Sequence, residues 1–328
     1  MSIESIGVIG AGAWGTALAL VAARAGRSTV LWGRDAGTVA AINSRRENSR
    51  HLPGIQIDDA VRATGTLADA VRADAVIVAV PAQEVRGMLE AMAGDLRRDQ
   101  PVIVAAKGLE RGTGKRLSEV VATTLPEAIP AILSGPSFAV DVARGLPTAV
   151  TVAAVDEALA LDLCHALGSA SFRPYAETDV TGVELGGALK NVLAIAAGVV
   201  AGRGLGASAS AAIVARGFAE LRRLGEAMGA RPETLMGLSG LGDLVLTCSS
   251  TQSRNYSFGI RLGGGGSTDP GETVVEGIAT AATARDLARG LGIAMPITEA
   301  VAGVVEGSLG VDEAIEGLMT RPLRREAD

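Results

Sequence analysis

Three glycines stand where an apolar run of strand length passes into a helical pattern. The segment IGVIGAGAWGTALAL carries Gly10, Gly12 and Gly15 in GxGxxG spacing. This feature constrains the fold because each glycine has its own backbone task. The first permits a tight turn, the second lets backbone approach a pyrophosphate, and the third lets helix and strand pack closely. The N-terminus of the following helix offers unpaired N–H groups to an anion. The spacing alone is weak. Strand, glycines, helix and a second apolar run at 28–32 together read as a dinucleotide fingerprint, with Ala13 and Trp14 inside the loop.

The rest of the first half extends that pattern. Apolar runs at 6–10, 28–32, 74–80, 101–106, 131–133 and 148–154 alternate with helical stretches such as 14–26 and 37–45. Near-continuous apolar strands separated by helices predict a mostly parallel sheet covered on both faces. Past Val180 the texture changes to Ala-, Leu- and Gly-rich helical patterns. The expected fold is therefore α/β, a Rossmann-type mostly parallel sheet followed by an all-α C-terminal domain. The boundary is expected near 176–182, giving units 1–178 and 179–328. Aromatic residues make up only 2%, so the core must rest on aliphatics. The segment RLGGGGSTDPGE at 261–272 is expected to lack regular structure.

Composition excludes several classes. A net charge of −6 with no long basic run argues against a nucleic-acid partner. Cys164 and Cys248 lie far apart, which fits a reducing, cytoplasmic setting better than a disulfide framework. The first residues lack the basic and apolar regions of a secretory signal, and membrane insertion is not expected.

Ligands of open α/β sheets collect at the carboxyl ends of strands. After the second run come Arg34, which suits a 2′-phosphate, and Asp35, which suits a 2′-hydroxyl. The conflict gives NAD(P) with a lean to NADPH. His51 stands either near that end of the cofactor or in a surface turn. Pro81 and Gln83 follow one strand and Lys107 the next; Ser134, Gly135, Ser137 and Ala139 follow a third. Ser137 is placed to cap the next helix. A lysine at a strand end is ordinarily a surface residue, but Lys107 follows apolar residues and precedes a glycine.

In the helical half, GVELGGALKNVLAIAAG sets Lys190 and Asn191 in a helix with few polar residues. Val183, Gly186, Gly187, Lys190, Ala194, Ala197 and Ala201 share one face. So bare a stripe suits close approach by another backbone or by a ligand; a long stem reaching water is the plain alternative. Asp243 and Thr247 are four apart and share a face if helical, or Asp243 caps a helix. Ser253, Arg254 and Asn255 form either a solvated turn or a phosphate donor set. Glu276, after Val274 in TVVEG, is a lid residue or a helix-start acid.

Taken in order, GAGAWGTAL, AAKGLE, LSGPSFA, GVELGGALKNVLAIAAG, GLSGLGDLVLTC, SRN and VVEG resemble the bacterial soluble NAD(P)-dependent glycerol-3-phosphate dehydrogenases over almost the whole chain. The resemblance implies reduction of dihydroxyacetone phosphate to sn-glycerol 3-phosphate, supplying the glycerophospholipid backbone, with no metal. It implies Lys190 as general acid/base. Lys107, Gly135, Asp243, Ser253, Arg254 and Asn255 would contact the substrate, with Asn191 and Thr247 beside it. Trp14, Arg34, Lys107, Ala139, Arg254, Val274 and Glu276 would face the cofactor, with His51 a weaker match. Ala13 departs from the serine of many relatives, and Asp35 stands where some are basic. The small-residue surface of the helical half suggests a homodimer. Two other classes stay open on residues alone: a reductase of another small acid, and a non-catalytic dinucleotide sensor. The intact Lys190, Lys107 and Asp243 set argues against the sensor.

Overall fold

The computed structural model describes residues 3–322 and 325. Eight strands form one sheet: β1 (Ser5–Ile9), β2 (Ser28–Trp32), β3 (Val61–Thr64), β4 (Ala75–Val78), β5 (Pro101–Val104), β6 (Ile129–Ser134), β7 (Thr148–Ala154) and β8 (Phe172–Glu177). Their order is β3-β2-β1-β4-β5-β6-β7-β8, parallel throughout except where β7 runs antiparallel to β6. The central strands β4 and β5 are buried at every residue, which is what their uninterrupted apolar sequences require.

Helices α1 (Ala13–Arg24), α2 (Ala36–Arg45), α3 (Leu67–Val71), α4 (Val85–Met92), α5 (Leu117–Thr124), α6 (Ala139–Ala143) and α7 (Glu157–Leu167) follow or separate the strands. The helical half contains α8 (Val180–Gly202), α9 (Gly206–Ala227), α10 (Pro232–Met236), a π-turn at Leu238–Gly242, α11 (Asp243–Cys248), α12 (Arg254–Gly263), α13 (Glu276–Gly290), α14 (Pro296–Val305) and α15 (Val311–Met319).

Two strands escape the sequence reading. β3 is a four-residue edge strand with an exposed Arg62. β8 is the opposite edge and contains Pro174, which cannot donate to a ladder and is tolerated at an edge. The segment expected to be irregular from 261 begins as helix, since α12 continues to Gly263.

α12 and the Gly240 turn account for small residues in the long central helix. α8 begins where the Asp179 carboxylate accepts from the Gly182 N–H, and it runs for 23 residues. It is long and apolar enough to cross a membrane, yet 83% of its most apolar window is buried inside the protein. It is the axis of the helical core. A Cβ on Gly198 would lie 2.2 Å from the Tyr256 carbonyl oxygen of α12, and one on Gly186 would lie 2.9 Å from the Gly240 backbone. Gly186 and Gly198 therefore serve backbone-to-backbone packing, while Gly187 lies against the Ser134 and Lys107 side chains. Gly198→Ala must push α12 away and should cost about 1–3 kcal/mol of stability, measured by denaturant unfolding. An unchanged midpoint would contradict the tight crossing.

Candidate active site

The sheet reverses direction of build at the β1–β4 boundary, and the carboxyl ends of the strands there open into a cleft of about 1060 Å³. The glycine loop forms its floor. Gly10 has φ +116°, and a Cβ there would lie 2.8 Å from the Ala79 carbonyl oxygen. A Cβ on Gly15 would lie 1.8 Å from the Gly10 oxygen, so helix and turn pack on bare backbone. Gly12, by contrast, faces open space in the cleft. Gly12 is also the N-cap of α1 and supplies no side-chain cap, which leaves N–H groups for a phosphate. The loop is held from behind by Asn48, whose amide donates to the Ala11 carbonyl (2.9 Å) and to the Thr16 hydroxyl (2.8 Å). These features fit a dinucleotide pyrophosphate.

Ala13, Trp14 and Ala139 line the same wall, and the Trp14 indole donates to the Ala105 carbonyl at 3.2 Å. At the far end, exposed Arg34 and His51 line the cleft. Arg50, missed in the sequence, lines it too. Its signal was a basic residue beside His51. The Asp35 carboxylate is engaged: it caps α2, accepting from the Thr38 N–H (2.7 Å) and hydroxyl (2.6 Å). These bonds, chiefly the Thr38 hydroxyl, hold it below the usual carboxylate range.

Another part of the cleft wall holds a largely buried charged cluster. Lys107, just beyond β5, donates through Nζ to the Gly135 carbonyl (2.9 Å) and to Asp243 Oδ2 (2.6 Å). Lys190, near the middle of α8, donates to Asp243 Oδ1 (2.8 Å) and to the Thr247 hydroxyl (2.7 Å). Thr247 Oγ1 also donates to Asp243 Oδ1 at 3.1 Å, one helical turn away. Lys190 is only 6% exposed and Asp243 1%, but Lys190 and Thr247 still form part of the cleft wall. Burial lowers the Lys190 amine to about 8; Asp243 opposes that shift and Lys107 adds to it. Burial pushes the Asp243 carboxyl up, but the two ammonium groups outweigh it and hold the carboxyl low. One carboxylate thus orders two cations at a single point.

Asn191 donates to the Lys107 carbonyl at 3.3 Å and accepts from Asn255 at 2.9 Å. Asn255 accepts in turn from the Gly277 N–H at 2.9 Å, so its amide is already half committed. Ser253 caps α12, accepting from the Tyr256 N–H, and Arg254 stands exposed at that helix start. Ser253, Arg254 and Asn255 all line the cleft at the positive end of a ten-residue helix. Val274 and Glu276 close the rim, where the Glu276 carboxylate accepts from the Ala82 N–H at 2.9 Å. Burial raises the Glu276 carboxyl.

One assignment changes and one open alternative closes. Ser137 does not cap α6, which starts after Phe138 with no side-chain cap. Its hydroxyl donates instead to the Gly135 carbonyl (2.9 Å). Asp243 is the first residue of α11 rather than its cap, and its carboxylate turns to the lysines. Gln83 clamps the loop after Lys107, donating to Leu109 and accepting from Arg111, and does not line the cleft. Among the described residues no group of three or more His, Cys, Asp or Glu side chains is placed to hold a metal.

Comparison with known proteins identifies the family. Family profiles described as NAD-dependent glycerol-3-phosphate dehydrogenase N-terminus and C-terminus match residues 5–160 and 179–316. A glycerol-3-phosphate dehydrogenase [NAD(P)+] of Rhodopseudomonas palustris strain HaA2 is 56% identical over 327 residues, covering 99% of both chains. One from Bradyrhizobium sp. strain BTAi1 is 58% identical over 323 residues, covering 98% of each. The crystal structure of glycerol-3-phosphate dehydrogenase from Coxiella burnetii superposes with a TM-score of 0.91 at 37% identity, covering 97% of this chain and 99% of that one. Sheet order, glycine loop and matched length lead to one conclusion: the chain belongs to the NAD-dependent glycerol-3-phosphate dehydrogenase family.

Proposed function

We propose that the chain reduces dihydroxyacetone phosphate to sn-glycerol 3-phosphate with NAD(P)H, reversibly, and that Lys190 carries the proton. The observation that carries this reading is the buried Lys107–Asp243–Lys190 cluster at the wall of the cleft. When bound, the nicotinamide supplies or takes the hydride. The ketone oxygen gains negative charge as its carbon is reduced, and Lys190 donates the proton that turns it into the hydroxyl. In reverse the neutral Lys190 amine takes that proton. A group whose pKa lies near the working pH can do both. Lys107, held by Asp243 and Gly135, adds fixed positive charge beside the carbonyl. Asp243 and Thr247 orient Lys190, and burial keeps bulk water from competing. Arg254, the remaining amide hydrogen of Asn255, and the α12 N-terminus hold the substrate phosphate.

Activity followed by NADPH absorbance with dihydroxyacetone phosphate, beside a panel of hydroxy and keto acids, tests the reading. Preference for a keto acid would sink it. Arg254→Ala is expected to raise the KM for dihydroxyacetone phosphate about 10- to 100-fold, the worth of a charged hydrogen bond. If only cofactor affinity changed, the phosphate role would be wrong.

The lean to NADPH rests on two arginines, Arg34 and Arg50, facing the cleft against one carboxylate, Asp35, which also lines it and has its Oδ2 held by Thr38. Arg34→Ala should raise the KM for NADPH about tenfold and leave that for NADH within about twofold. Equal effects on both would remove the preference. The same proposal treats 1–178 as the nucleotide-binding unit and 179–328 as the catalytic one. It takes the exposed small-residue start of α9 as support for a homodimer, which a monomer in micromolar sedimentation would refute. The two buried free thiols, Cys164 and Cys248, support a cytoplasmic location, checked by cell fractionation.

A further inference from the structure

A second, much smaller cavity lies behind Lys107. Ala106 and Lys107 line both this cavity and the large cleft, and Ser134, Glu184 and Gly187 complete its polar and backbone walls. Among the described residues, the Ser134 hydroxyl is a buried side-chain polar atom with no hydrogen-bond partner, and Ser134 is 1% exposed. A buried hydroxyl left unbonded costs about 1–3 kcal/mol, so an acceptor for its proton is to be expected. The cavity admits about one water, which needs two or more polar partners to stay.

Glu184 supplies a second partner. Its carboxyl accepts from the Ser118 N–H at 2.8 Å and from the Ser118 hydroxyl, with the Arg116 guanidinium 3.7 Å away. Each oxygen keeps a lone pair for a further bond. Burial pushes this carboxyl up to about 7, so near neutrality it serves a water either as acceptor or as donor. The position is tight against α8. A Cβ on Gly187 would lie 2.4 Å from Ser134 Oγ and 3.5 Å from Lys107 Cγ.

We propose that one ordered water occupies this cavity, bonded to Ser134 and Glu184, and that Ser134 is a positioning residue for the catalytic cluster. The water links β6 to α8. β6 leads into Gly135, whose carbonyl holds Lys107, and α8 carries Lys190 six residues after Glu184. The Ser118–Glu184 bonds extend the link to α5. The bridge thus sets the sheet half against the helical half at the point where the two lysines must share Asp243. Its kinetic consequence rests on the Lys190 reading; the water itself does not.

High-resolution crystallography of the wild-type enzyme and of Ser134→Ala tests both parts. The wild type should show density within hydrogen-bond distance of Ser134 Oγ and a Glu184 oxygen, and Ser134→Ala should lose it. The variant should lower kcat about three- to tenfold and leave the KM for NAD(P)H within about twofold, because the lysines shift and the glycine loop does not. A dry wild-type cavity with Oγ turned to a main-chain carbonyl overturns the water site. Full kcat in a variant that has lost the water overturns the positioning role, even if dihydroxyacetone phosphate remains the substrate.

Discussion

Replacing Lys190 with alanine is expected to lower kcat for dihydroxyacetone phosphate reduction by about 10⁴-fold while NAD(P)H binding persists. General acid catalysis alone is worth about 10²–10⁴, and the lost ammonium also removes charge stabilisation of the developing alkoxide. Cofactor binding survives because the glycine loop belongs to β1 and α1, whereas Lys190 belongs to α8. The wild-type pH profile carries the same assignment. Reduction needs the ammonium, so kcat should fall as pH rises through about 8, where the buried amine loses its proton. Oxidation needs the neutral amine, so it should rise through the same range. Single-turnover kinetics in both directions, with cofactor titration by fluorescence, would measure this. Near-normal turnover in Lys190→Ala, or parallel pH profiles in the two directions, would remove Lys190 from the chemistry.

Much of this architecture was legible because backbone constraints and apolar patterning are local signals. The glycine loop announced a strand, a turn and a helix; Gly10 and Gly15 meet backbone a side chain would hit, and Gly12 faces the open cleft. Buried strands β4 and β5 were legible as unbroken apolar runs. Edge strands were not, since β3 is only four residues long and interrupted by exposed Arg62, and β8 is largely solvated and carries Pro174. Lys190 stood out because a charge among glycines and alanines is improbable as a surface residue. The reasons for those glycines lay in other elements: Gly186 meets the Gly240 backbone, Gly187 the Ser134 side chain, and α12 crosses α8 backbone to backbone at Gly198 and Gly202. Nor do local patterns reveal how Asp243 divides its two oxygens between lysines 136 and 53 residues away in sequence. Partnerships across such distances are set by packing, whereas Ser137 departs from its expected cap for a local reason, the Gly135 carbonyl two residues back.

Asp243→Asn is the change that most directly tests how the cluster works. In the native protein Asp243 is the anion that opposes the loss of the Lys190 proton, against burial and against Lys107. An amide removes that opposition while leaving Lys107 beside the amine. The Lys190 pKa must therefore drop further below about 8. The alkaline limb of the reduction profile should move to lower pH, and the acid limb of oxidation should move the same way. At a pH near 7.5 reduction should then fall by more than oxidation, an asymmetry that general misfolding cannot produce. The amide also fails to pair two buried or half-buried cations, and breaking such a pair costs about 3–5 kcal/mol in other proteins. Lower stability is thus expected alongside, and it is separated from the kinetic effect by comparing the ratio of the two directions rather than either rate. If both limbs stayed in place while stability fell, Asp243 would be a structural tie between the lysines, and the tuning of Lys190 would have to come from burial and Lys107 without it.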